Sequence, residues 1–125
     1  MEKRILIAVF AFLIISVSAY AQSQNSQIIG RWIRPDGGYV LEIRQVRDDG
    51  SLEAYYYNPL LINVSIARMV TNEKGINLFV ELQDKGYPGS YYMLTYLPAK
   101  EQLTGIYHQK EANKEFEIYF ERQNK

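Results

Sequence analysis

The sequence has 125 residues, with fourteen Lys and Arg balanced by fourteen Asp and Glu, one His and no Cys. That composition excludes a disulfide scaffold and thiol chemistry, and it offers no basic footprint for nucleic acid or an anionic membrane surface.

Lys3 and Arg4 precede an apolar run over residues 5–15, and Ala19 and Ala21 stand three and one positions before a cut after Ala21. This is the pattern of a secretory signal peptide; the run is shorter than the roughly 20 residues that a spanning helix needs. Residues 1–21 are expected to be removed on export to the periplasm or the medium, residues 22–27 to be a polar linker, and residues 28–125 to be a single domain. Cleavage leaves 104 residues, enough for one core and too few for two. Without Cys the exported chain carries no lipoprotein acyl group, so no membrane association is expected after cleavage. It keeps twelve Lys and Arg against thirteen Asp and Glu, and ten of its eleven Tyr beside one Trp. It therefore presents many flat rings with hydroxyl tips.

Short strand patterns then follow one another. Residues 28–34 read as a first strand, ended by Pro35-Asp36-Gly37-Gly38. Residues 39–47 alternate, with Tyr39, Leu41 and Ile43 on one face and Glu42 and Arg44 on the other, as expected when one face is buried. Residues 52–58 place Leu52, Ala54 and Tyr56 together before Pro59 stops the run. Residues 61–71 keep Ile62, Val64 and Ile66 in step, then lose parity over residues 67–70, where a bulge is expected. In residues 76–82, Ile76, Leu78, Val80 and Leu82 share a face, with Phe79 and Glu81 outward. Asp84-Lys85-Gly86-Tyr87-Pro88-Gly89 reads as the longest loop and as the candidate mouth or lid. Residues 90–97 and 103–109 are two further strands. In the last, Phe116, Ile118, Phe120 and Arg122 oppose Glu115, Glu117, Tyr119 and Glu121.

Eight strands joined by short turns predict an all-β, eight-stranded, antiparallel up-and-down β-barrel. A two-sheet sandwich is the main alternative, but it usually needs longer Greek-key connections. An outer-membrane barrel would place Glu42, Arg44, Glu115 and Glu117 in lipid, at a few kcal/mol per charge, and is rejected.

Gly30-x-Trp32 on the first strand and Arg122 late on the last resemble the calycin superfamily of lipocalins, fatty-acid-binding proteins and avidins. The resemblance implies that Trp32 plugs one end of the barrel while Arg122 stacks across it and bonds nearby backbone. Gly30, Trp32 and Arg122 are thus read as a structural plug. The Thr-Asp-Tyr segment and C-terminal helix of typical lipocalins are missing. So are the several Trp residues of the avidin biotin pocket, Trp32 being the only one. The chain is accordingly nearest to a lipocalin/streptavidin-like barrel of the avidin type, without biotin binding.

Chemistry is sparse. The sole His, His108, falls on the outward parity with Thr104 and Ile106, and no residue spacing supplies a nucleophile, an orienting carboxylate or three zinc ligands. Asp48 and Asp49 belong to a turn, and Glu115 and Glu117 to a solvated face. No catalytic residue, metal or cofactor is expected. The inward parity instead gathers Tyr39, Tyr56, Tyr92, Tyr96 and Tyr107, with Asn58 and Gln109 near strand ends. Buried hydroxyls need partners, and such a lining suits a small ligand. Outside, Tyr55, Tyr57, Phe79, Tyr91, Met93 and Tyr119 would interrupt a charged surface and serve a protein partner or a second copy.

The expectation is an exported, non-enzymatic barrel binding a small apolar or aromatic ligand in its lumen. The alternative is a protein-interaction barrel such as an inhibitor of a secreted hydrolase. The chain resembles small periplasmic protease inhibitors, short barrels with an early Gly-x-Trp, although those carry a disulfide that it lacks.

Overall fold

The computed structural model describes residues 26–124, so the expected signal segment 1–21 and residues 22–25 lie outside the described part. A 3-10 turn, Ser26–Ile28, leads into β1 (Gly30–Ile33), followed by β2 (Val40–Val46), β3 (Leu52–Tyr57), β4 (Leu61–Ile62) and β5 (Val64–Asn72). β6 (Gly75–Asp84), β7 (Tyr87–Leu97), β8 (Gln102–Gln109) and β9 (Lys114–Arg122) complete the described strands. All pairings are antiparallel, in the order β4-β3-β2-β1-β9-β8-β7-β6-β5. Trp32 lies opposite Arg122 and Ile33 opposite Glu121, which joins the first strand to the last. The result is an all-β, up-and-down, nearly closed barrel, as the alternation and the short turns predict.

The described residues contain nine strands rather than eight because the run over residues 61–71 breaks at Asn63. Its first part stays on β3 and its second pairs with β6. β4 and β5 are therefore consecutive in the chain yet stand at opposite edges of the sheet order, and Asn63 carries the chain across the seam. The Asn63 amide N–H donates to Asp84 Oδ2 at 2.7 Å, and its carbonyl accepts from Gln83 N–H at 3.0 Å. Lower down, Ser51 bridges to Arg68, and Met69 N–H donates to the Gly50 carbonyl at 2.7 Å. Gly50 has φ +87°, and a Cβ there would stand 2.9 Å from the Met69 carbonyl oxygen, so the close approach needs glycine. The Gly50–Met69 contact thus ties the two edges together at the end of the seam near Ser51.

Two expectations are corrected. The bulge of the fourth run lies between Val64 and Ile66, before residues 67–70. A register slip of one residue exchanges the faces. Ile66 is consequently outward and 41% exposed, while Met69 is buried. The loop expected over residues 84–89 is a tight Lys85-Gly86 turn, because β6 extends to Asp84 and β7 starts at Tyr87. Pro88 enters the strand opposite Gln83, next to a register shift between Glu81 and Gln83, where the ladder is already irregular.

Elsewhere period-two alternation holds. Leu41, Ile43, Leu52, Tyr56, Leu78, Val80, Leu82, Leu94, Leu103 and Phe120 fill the interior. Antiparallel order puts the turns after β1, β3, β6 and β8 at one end, the mouth. The turns after β2, β5 and β7 lie with the 3-10 turn at the closed end.

Candidate functional site

At the closed end, Trp32 is fully buried and donates Nε1–H to the Ile28 carbonyl at 2.9 Å. The Arg122 guanidinium lies 4.2 Å from the Trp32 ring centroid. It donates from Nη1 to the Ile29 carbonyl at 2.9 Å, from Nη2 to the Gln27 carbonyl, and from Nε to Glu101 Oε1 at 3.0 Å. These bonds tie the 3-10 turn across the ring. Gly30 has φ +142°, and a Cβ on it would come within 2.7 Å of Arg122 Nη1. The motif therefore has a local cause: the first position of Gly-x-Trp must leave room for the guanidinium that covers the third.

The mouth is built around a second arginine. Alternation along the first strand gives Arg34 the parity of Trp32, and it is 8% exposed. Its amide N–H donates to the Tyr39 carbonyl at 2.9 Å, closing the hairpin. That turn brings Asp36 back beneath the guanidinium. Arg34 Nε donates to Oδ1 at 2.9 Å and Nη2 to Oδ2 at 2.5 Å. Nη1 donates to the Tyr92 hydroxyl at 2.8 Å, which stands 2.7 Å from the Tyr56 hydroxyl. The guanidinium stacks over Tyr39 at 4.5 Å and lies 5.9 and 5.8 Å from the Tyr92 and Tyr107 centroids. Rings pack on rings beyond it, with Tyr92 and Tyr107 at 4.7 Å and Tyr39 parallel to Tyr56 within 9°. Above this floor lies a cavity of about 510 Å³ lined by Arg34, Tyr39, Tyr56, Gly86, Tyr87, Tyr107, Gln109 and Phe116. Below it the side chains of Trp32, Tyr92 and Phe120 are fully buried.

The electrostatics favour neutral hydroxyls and a permanent cation. Burial opposes the charge on Arg34, but its bonds to Asp36 and Tyr92 outweigh that, and its pKa is raised. The Arg34 hydrogen bond holds Asp36 below its ordinary value. Burial pushes Tyr92 up to about 12 against the pull of Tyr56 and Arg34, and burial with the neighbouring Tyr92 raises Tyr56 further. Burial raises Tyr107 as well.

Four of the expected lining residues, Tyr39, Tyr56, Tyr107 and Gln109, come together at the cavity. Tyr92 supports it from below. Asn58 stands at the rim, where its Nδ2 donates to the Tyr87 hydroxyl. Tyr96 belongs to the other end: it packs edge-on against Trp32 at 6.0 Å and donates to Glu101, the carboxylate that also holds Arg122. Arg34 was not among the expected lining residues, although its place two residues after Trp32 put a charge on the buried parity.

The outer aromatics divide into separate groups. Tyr55 and Tyr57 lie under the cations of Arg44, at 4.0 Å, and Arg31, at 5.6 Å. Phe79, Tyr91 and His108 form a row on the opposite wall, Phe79 tilted against Tyr91 at 5.3 Å and Tyr91 stacked on His108 at 4.9 Å. His108 is on the outer face as expected, yet largely covered. Its Nδ1 stands 3.6 Å from Glu115 Oε1 and has no hydrogen-bond partner among the described residues. A shallow hollow of about 590 Å³ lies over Thr95, Thr104 and Tyr119 on this wall, with no converging cation or buried hydroxyl. Among the described residues, no group of three or more His, Asp or Glu stands close enough to hold a metal ion. No family model, curated protein or solved structure matches the chain.

Proposed function

We propose that this chain is an exported, non-enzymatic binding barrel of calycin-like type whose mouth cavity takes one small aromatic or apolar molecule. The observation that carries this reading is the bowl over Arg34. Its volume lies in the range of small-ligand pockets, and it combines ring faces with a few fixed polar groups, the usual make-up of such sites. The Trp32–Arg122 plug and the nearly closed up-and-down sheet support the calycin-like part. The mouth, not the packed lower lumen, is where a ligand would sit.

The test is a thermal-shift screen of small aromatic compounds. A ligand present at a hundred times its Kd stabilises by about 2.7 kcal/mol and moves the melting temperature by several degrees. The shift should disappear in Tyr107→Ala and persist in Tyr96→Phe. Absence of any shift across the screen would sink the reading.

A second reading, a protein-interaction barrel such as a hydrolase inhibitor, is favoured by Leu60 and Leu61, which are 79% and 57% exposed beside the mouth. Consecutive exposed leucines are costly unless covered. Capture of a hydrolase that is lost on Leu60→Asp, with no thermal shift across the ligand screen, would select this reading over the first.

A further inference from the structure

The geometry points to a specific ligand chemistry: the mouth cavity takes a planar aromatic ring carrying an oxygen acceptor, as in an aryl ketone or aryl carboxylate. This rests on the small-ligand reading above and narrows it.

A guanidinium donates and never accepts, so the 2.8 Å contact from Arg34 Nη1 makes the Tyr92 hydroxyl oxygen an acceptor. Tyr92 is completely buried, and its own proton needs an acceptor too. Among the described residues, the one in reach is Tyr56 Oη, at 2.7 Å. The reverse arrangement, Tyr56 donating to Tyr92, would leave the Tyr92 proton buried with nowhere to go. Tyr56 therefore receives, and its own proton is left over. Tyr56 is among the residues that line the cavity while itself only 1% exposed, so the relay from Arg34 through Tyr92 ends on a residue of the cavity wall that has a proton to donate. Each bond in such a chain polarises the next, and the cation at its head strengthens the donor at its tail.

The remaining wall groups point the same way. Three of the five guanidinium N–H groups of Arg34 are engaged, by Asp36 and Tyr92, which leaves two more donors beside the cavity. The Asp36 carboxylate is occupied by that same guanidinium. Gln109 offers both a donor and an acceptor and does not discriminate. The polar surplus is thus of donors, while Tyr39, Tyr107 and Phe116 supply faces for a ring. An oxygen acceptor conjugated to an aromatic ring satisfies both.

Four probes decide it: acetophenone and sodium benzoate, which carry the acceptor, and toluene and benzylamine, which do not. Affinities are measured by NMR titration of the purified protein, with Phe116→Ala and Tyr56→Phe as variants. Acetophenone and benzoate are expected to bind about tenfold more tightly than toluene, the scale of one reinforced hydrogen bond. Benzylamine should bind most weakly. Tyr56→Phe should bring acetophenone close to toluene, whereas Phe116→Ala should weaken all four alike. If toluene equals acetophenone on the native protein, the acceptor preference is wrong while the small-ligand reading survives. If benzylamine leads, the donor surplus is wrong. If no probe perturbs the mouth resonances, both readings fall. The native-protein ratios decide even where Tyr56→Phe does not fold.

Discussion

The two ends of the barrel use the same pair of groups, an arginine over an aromatic ring, for different ends. At the closed end the Arg122 donors go to the backbone carbonyls of Ile29 and Gln27 and to Glu101, and the ring beneath is fully buried. At the mouth Arg34 spends its donors on side chains, the Asp36 carboxylate and the Tyr92 hydroxyl, and its ring neighbours border open space. Backbone partners fix chain to chain. In the ligand reading proposed above, side-chain partners pass a donor on to the cavity. On that reading, an arginine–aromatic pair is a lock or a recognition element according to which partners its hydrogen bonds reach.

The largest expected effect is at the lock. Trp32→Ala should lower stability by about 3–5 kcal/mol in urea denaturation, as for other large core truncations. An unchanged midpoint would remove the plug and with it one side of the comparison. Next come the two arginines, taken together. Arg34→Met and Arg122→Met should each cost about 1.5–3 kcal/mol, the range for hydrogen bonds to a charged group. Only Arg34→Met should also abolish the thermal shift with acetophenone; loss of the shift in both variants would erase the distinction between the ends.

Gly30→Ala should cost about 1–3 kcal/mol, since its backbone conformation is one that residues with a Cβ rarely adopt. Arg122→Ser in the same chain should recover part of the loss by clearing the clash; no recovery would mean the backbone alone demands glycine. The smallest effect is pH-dependent. Asp36 titrates below its ordinary 3.8 because Arg34 donates to it. A carboxyl depressed in the folded state stabilises fully above its unfolded value and loses that stabilisation as pH falls through the folded one. The deficit of Asp36→Asn relative to the native protein should therefore be constant from neutrality to about pH 4 and shrink below it, read from melting temperatures. A deficit that stays constant in strong acid would detach Asp36 from Arg34.

Much of this was readable in the chain because each reading depended on neighbours in sequence. Tyr39, Tyr56, Tyr92 and Tyr107 follow from period two, and the pairing of Trp32 with Arg122 follows from antiparallel closure of first and last strands. Parity also covered Tyr96, but parity gives the face and not the height, and Tyr96 stands with the plug. Ile66 failed for a related reason: a bulge one position earlier reverses every face after it. Arg34 carries a local signal of its own, a charge two residues beyond Trp32 and two before an Asp in a glycine turn.

The sequence by itself determined the alternation of faces and the spacing of turns, and from them an all-β, up-and-down barrel, because both are properties of a few adjacent residues. The tertiary structure decided the rest: the seam at Asn63, the level of each tyrosine along the barrel, and the meeting of Arg34, Tyr92 and Tyr56. Those depend on strand pairing between distant segments and on which hydroxyl meets another at 2.7 Å, and no local pattern encodes either.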